Sequence, residues 1–178
     1  MRIRPATVAD CPRVSALLQH AVAYQQQLSP FFDLVPRIDW EHVAQMKLRN
    51  LYEQVLVAEQ DAQLLGYIDV RAPVPTSHSA LRTFLRRLLK RCLTPVIVQP
   101  RNVGWIEDCY VLPEVRRQGV GRALVHAGVM WLQAHAITRV ELAVLAANRG
   151  GRRFWQQQGF APLRLLLSRD IDDGRTPG

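Results

Sequence analysis

The stretch PEVRRQGVGRALV, residues 113–125, decides the fold. Two arginines and two glycines arrive together, and a helical apolar periodicity begins directly after them. Two uses fit such a sequence. A tight turn needs glycine. A helix N-terminus with unpaired N–H groups, a close-lying backbone and adjacent arginines suits a diphosphate.

The flanks choose between them. Upstream, VGWIEDCYVL reads as a strand. Downstream, GVGRALVHAGVMWLQAHA reads as a helix, with Val120, Leu124, Ala127, Val129 and Leu132 on its apolar side. TRVELAVLA is a second strand. NRGGRRFWQQQ is a short helix ended by Gly159, and FAPLRLLLSRD is a last strand.

The N-terminal half adds a strand in RIRPAT, ending at Pro5, then Thr7 and Asp10 as a helix start. Val14, Leu17, Leu18, Ala21 and Val22 follow at helical spacing. SPFFDLVP is a loop, and DWEHVAQMKLRNL is a helix capped by Asp39. QVLVAEQ and QLLGYIDVRA form a hairpin around a turn near Asp61–Gln63. Strands alternating with helices predict an α/β layer fold.

The segment from Pro73 to Asn102 stands apart as an insertion around 75–100. Leu81, Phe84, Leu85, Leu88 and Leu89 make an apolar stripe beside Arg82, Arg86, Arg87, Lys90 and Arg91. Residues 80–92 read as a surface helix that packs its stripe and solvates its charges, in preference to a nucleic-acid or membrane contact.

The 178 residues suit one domain, with 48% apolar and 21% charged residues. No apolar run approaches a membrane span and the first residues lack a secretory h-region, so the expected location is cytoplasmic. The net charge is +8, and its excess lies after residue 72, in the half that holds the glycine–arginine turn. That half expects an anionic partner. Cys11, Cys92 and Cys109 form no paired spacing. His20, His42, His78, His126 and His135 form no ligand set, so no metal is expected.

Arg116-x-x-Gly119-x-Gly121, followed by a helix, a strand and NRGGRRFWQQQGF, resembles the GNAT superfamily of acyl-CoA-dependent N-acyltransferases. The likeness runs from IRPATVADC to GFAPL. IRPATVADC and IEDCYVLPE also resemble the polyamine and diamine acetyltransferase branch. The resemblance implies one domain over residues 1–170, with a tail at 171–178. It implies a mixed, twisted sheet of about six to seven strands flanked by helices. A splayed strand pair would hold the co-substrate acetyl-CoA, with no metal.

On that resemblance, Arg116, Arg117, Gln118, Gly119, Val120, Gly121 and Arg122 bind the diphosphate through N–H groups of 117–122 and added cations. Asn148 lies at the cofactor arm. Arg149, Arg152 and Arg153 either reach its outer phosphate or solvate a helix face. The reaction is direct transfer: an amine attacks the thioester, an oxyanion forms, and thiolate leaves. Glu107 is the expected base, directly or through a water; otherwise it pairs with a neighbouring arginine. Asp108 is expected on the opposite strand face. The backbone N–H of Tyr110 or Val111 would stabilise the oxyanion.

Trp155 stands where many family members carry a tyrosine that protonates the thiolate. It either borders the cofactor or packs in the core. Tyr67, Tyr110 and His126 are the other candidates for that proton. Cys109 reads as a core residue. Phe31, Phe32 and Trp40 either line an acceptor pocket or underlie a loop, while Asp33, Asp39 and Glu41 suit a cationic amine. Acyl-CoA and an amine are thus the expected partners, with self-association through the last strands or the insert. The competing reading is a catalytically weak acyl-CoA sensor, or a module that contacts nucleic acid or membrane.

Overall fold

A computed structural model describes residues 1–29, 37–73 and 102–167. The insertion around 75–100 with its basic helix, the Phe31–Phe32–Asp33 part of the loop, and the tail lie outside the described residues.

Five strands form one sheet in the order β1 (Arg2–Pro5), β2 (Glu53–Gln60), β3 (Gln63–Arg71), β4 (Val103–Val111) and β5 (Arg139–Leu142). The first four are antiparallel neighbours, and β5 joins β4 in parallel. That parallel step needs a crossover, which α3 (Val120–Ala134) supplies. Helices α1 (Cys11–Leu28) and α2 (Trp40–Arg49) connect β1 to β2, and α4 (Arg149–Gln157) follows β5.

Side-chain alternation sorts the strands between two cores. Val55, Val57, Tyr67 and Tyr110 pack against Val14, Leu17, Leu18 and Ala21 of α1 and Ala44 of α2. Leu56, Ala58, Ile68, Val70 and Ile106 face Val120, Leu124, Val125 and Leu132 of α3, with Phe154 and Trp155 of α4 at the margin.

The capping expectations hold. Thr7 and Asp10 form a capping box on a 3-10 turn that leads into α1. The Asp39 carboxylate accepts the His42 N–H at 2.9 Å. Asp61 and Ala62 take left-handed φ angles of 49° and 63° at the hairpin tip. Arg4 clamps the first strand, reaching Asp10 at 2.7 and 2.9 Å and Glu59 at 2.7 and 2.9 Å.

Among the described residues the strand count is five, against the expected six to seven. Among the described residues, 160–167 form no ladder, and Leu165, Leu166 and Leu167 are 80–94% exposed. An apolar run becomes a strand only beside a partner edge, and this run has none among the described residues. The expected strand TRVELAVLA is also shorter, stopping at Leu142. Among the described residues no helix is long and apolar enough to cross a membrane.

Candidate active site

The site is organised by β4, which is a sheet-interior strand at one end and an open edge at the other. Val103–Ile106 pair with β5, and the pairing ends at Ile106 opposite Leu142. Among the described residues β4 keeps only β3 as a strand neighbour beyond that point, which leaves its other edge open along Glu107–Val111; this open edge is the gap. The pairing thus ends where the resemblance expects the strands to part.

The gap begins at a β-bulge. Asp69 of β3 opposes Asp108, but Val70 opposes Ile106, so Glu107 is the extra residue. Strict alternation fails at a bulge, and the expected opposite-face placement of Glu107 and Asp108 does not follow from it. Glu107 pairs with Arg71 at 2.6 Å, and about a third of its side chain is exposed (32%). Asp108 accepts the Tyr67 hydroxyl, which places it on the α1–α2 side, and also accepts the Cys109 N–H at 2.8 Å. Burial raises its carboxyl above the ordinary value, although the Tyr67 and Cys109 donors oppose the rise.

Ladder geometry assigns the backbone donors. Leu112 donates its N–H to Leu65 at 3.0 Å. Opposed pairs alternate in an antiparallel ladder, so Tyr110 bonds inward to Tyr67 while Cys109 and Val111 turn their N–H groups toward the gap. The Cys109 N–H is taken by Asp108. Of the two expected oxyanion donors, Val111 faces the gap and Tyr110 faces β3.

After β4 the chain makes a 3-10 turn at Pro113–Val115 and runs extended at Arg116. Arg117 and Gly119 then adopt left-handed φ angles of 63° and 86°. Gly119 is the α3 N-cap and has no side-chain cap. The first helical bond runs from the Ala123 N–H to the Gly119 carbonyl at 3.0 Å, so the N–H groups of Val120, Gly121 and Arg122 precede it. Arg117, Gln118, Gly119 and Arg122 are exposed around this opening. A Cβ on Gly119 meets nothing within 4 Å, whereas one on Gly121 lies 3.2 Å from the Phe154 ring. Gly121 thus lets α3 approach α4.

Arg116 lies differently from its neighbours. Its Nε donates to the Val111 carbonyl at 2.9 Å. Its guanidinium carbon stands 5.1 Å from the Tyr24 ring centroid and 5.5 Å from that of Tyr110. His20 joins this group, its ring 6.4 Å from Tyr110.

Asn148 caps α4, accepting the Gly151 N–H at 2.8 Å and the Tyr24 hydroxyl at 3.4 Å on the same oxygen. Arg149, Arg152 and Arg153 are exposed, and Arg152 donates to the Ala146 carbonyl at 3.0 Å. Trp155 sits edge-on between Phe154 and Phe160, at 5.0 and 5.3 Å, as a packing residue. His126 is exposed on α3, and Tyr67 is fully buried on Asp108.

The sequence reading missed a second feature of this face. Asp69 is fully buried in β3 and pairs with Lys47 of α2 through Oδ2. Its Oδ1 has no hydrogen-bond partner among the described residues. Burial raises its carboxyl, and Lys47 opposes the rise. Glu53 is raised by the same burial and by Asp69. A lone acid inside the apolar strand YIDV was the available clue. Among the described residues no His, Cys, Asp and Glu group is arranged to hold a metal ion.

The sequence matches the profile of the acetyltransferase (GNAT) family over residues 16–160. No curated protein sequence matches the chain. Among solved structures, the tetramutant of the BH1408 protein from Bacillus halodurans has a TM-score of 0.76 at 21% identity, covering 96% of this chain and 100% of that one. A ribosomal-protein-alanine N-acetyltransferase from Brucella melitensis biovar Abortus 2308 has a TM-score of 0.65 at 15% identity, covering 96% and 100%. The aminoglycoside N-acetyltransferase AAC(6')-Iy in complex with CoA has a TM-score of 0.65 at 17% identity, covering 95% and 93%. At these identities the likeness is one of fold, and the family match over most of the chain carries the assignment: the chain belongs to the acetyltransferase (GNAT) family.

Proposed function

We propose that this acetyltransferase takes the acetyl group of acetyl-CoA and passes it directly to a primary amine of a small molecule, a polyamine or a protein. One observation carries the proposal. Left-handed Arg117 and Gly119 feed the open N-terminus of α3 beside the gap into which the Val111 N–H points. Successive N–H groups in such a turn, together with the helix dipole, favour a diphosphate. The residues present therefore fit CoA: N–H groups of 117–122 for the diphosphate, and exposed Arg117 and Arg122 for added charge. The CoA complex of AAC(6')-Iy, a protein of the same fold, supports this reading.

Bound there, acetyl-CoA supplies an activated thioester. The Val111 N–H would stabilise charge developing on the carbonyl oxygen. Glu107, at the bulge where the gap begins, would accept the amine proton directly or through a water. Its exposed ion pair with Arg71 is weak enough to exchange partners. The acceptor would approach from the α1–α2 side. There, among the described residues, the carboxyl groups Glu53, Asp69, Glu107 and Asp108 stand beside the cations Lys47, Arg71 and Arg116, an acidic excess that favours a cationic amine.

The test combines calorimetry with acetyl-CoA and thiol release against a panel of amines, using wild type, Glu107→Gln and Asp108→Asn. The proposal expects binding in all three and amine-dependent release lost in Glu107→Gln. Loss in Asp108→Asn alone would move the proton acceptor to Asp108. Absence of binding by wild type would overturn the reading of the turn.

A further inference from the structure

We propose that Arg116 is a positioning residue for acyl transfer, and that it holds the Val111 peptide in place without binding the phosphates of the co-substrate. The inference rests on the proposed role of the Val111 N–H. The first cation of the glycine–arginine turn would otherwise be taken as a phosphate ligand, but its backbone N–H and its Nε–H are engaged elsewhere. Its backbone N–H donates to the Pro113 carbonyl at 3.3 Å. Its Nε donates to the Val111 carbonyl at 2.9 Å.

The guanidinium is also flanked by rings, at 5.1 Å for Tyr24 and 5.5 Å for Tyr110. Tyr24 in turn donates to Asn148 at 3.4 Å. One planar cation thus ties together the end of β4, helix α1 and, through Tyr24, the cap of α4. Among the described residues no carboxylate forms an ion pair with Arg116. Its contacts are one peptide carbonyl and two π faces.

The consequence lies at residue 111. A strand residue whose neighbour β5 has departed loses half its ladder bonds, and its peptide is free to tilt. Here the 111–112 peptide is held at both ends, its Val111 carbonyl by Arg116 on the gap side and its Leu112 N–H by Leu65 on the β3 side. The Val111 N–H belongs to the preceding peptide, which the ladder holds through Tyr110. Val111 thus sits between two anchored peptides, and the Arg116 bond fixes its C-terminal side, which keeps its N–H aimed into the gap. A lysine cannot substitute, because it lacks the Nε–H in the plane of a stacked guanidinium.

The experiment compares Arg116→Gln, Arg116→Lys and Tyr24→Leu with Arg117→Ala. CoA affinity is read by calorimetry, kcat from thiol release with a turned-over amine, and fold by thermal unfolding. For both Arg116 variants the expected result is a kcat loss of about 100-fold, the scale of a slightly misplaced reacting group. CoA Kd should stay within about two-fold of wild type, because no phosphate contact is removed. Tyr24→Leu should change in the same direction by a smaller factor, and it keeps the test open if the Arg116 variants unfold. Arg117→Ala should show the opposite split, with weakened CoA binding. Weakened CoA binding in the Arg116 variants with kcat retained would overturn the proposal, as would full activity of Arg116→Lys. Loss of CoA binding by wild type would instead refute the underlying reading of the site.

Discussion

Lys47→Met is the most informative change to the scaffold beneath the site. The Asp69 side chain is 0% exposed, and Lys47, whose side chain is 26% exposed, is its ionic partner. Lys47 bonds Oδ2, and Oδ1 of Asp69 has no hydrogen-bond partner among the described residues, so removing Lys47 strands a buried carboxylate. Breaking one side of a buried pair costs about 3–5 kcal/mol, and the partial exposure of Lys47 selects the lower end, about 3 kcal/mol. In a chain of this size that corresponds to a fall in Tm of about 6–12 °C.

The pH dependence has a definite sign. Burial raises the Asp69 carboxyl above its ordinary 3.8, and loss of Lys47 raises it further. A carboxyl with a raised folded value binds its proton more tightly when folded. Its penalty is present in full above that value and fades as pH falls through it toward 3.8. Urea unfolding at pH 8 and pH 5 should therefore show the gap between Lys47→Met and wild type narrowing at the lower pH. Adding Asp69→Asn should recover about 2 kcal/mol at pH 8 by deleting the stranded charge. A gap below about 1 kcal/mol, or one that does not change with pH, would refute the reasoning.

Other outcomes follow from the same geometry. Asp10→Ala removes a side chain that is 2% exposed and held by Arg4, Thr7 and Arg13, so unfolding should fall by about 3 kcal/mol at neutral pH. Arg4 and the Thr7 donors, working against burial, hold the Asp10 carboxyl well below 3.8; the stabilisation is present above that value and should fade on acidification below it, which an acid titration of stability reads. Gly119→Ala should cost about 1–2 kcal/mol through its left-handed φ of 86°, while Gly121→Ala should cost about 1 kcal/mol through crowding of Phe154; a larger loss at Gly121 in chemical unfolding would reverse the argument. Burial pushes the Cys109 and Cys11 thiols up, so native protein at pH 8 should leave both unalkylated by iodoacetamide until urea is added, as judged by mass spectrometry.

The turn into α3 was legible because its requirements are local. A left-handed N-cap needs glycine, and a helix that packs on a sheet needs its apolar period; Gly119 and Leu124 display both. The Asp39 cap was legible for the same reason, whereas the capping of α4 by Asn148 appeared only in the structure. The bulge at Glu107 was not, since an extra residue in a strand leaves no mark in composition, and face alternation then misleads for its neighbour Asp108. Nor does sequence tell where a long side chain ends. The motif places a cation at Arg116, but only the return of its guanidinium onto Val111 separates it from Arg117. The Lys47–Asp69 pair joins α2 to β3 over a separation of 22 residues and became visible only once the sheet was assembled.

The most direct test of the account is amide hydrogen exchange with and without acetyl-CoA, resolved to single residues. The account predicts new protection concentrated at Val111 and at residues 117–122, with β3 and α2 unchanged. Binding that protects other segments and leaves Val111 and the α3 N-terminus exchanging as before would contradict it.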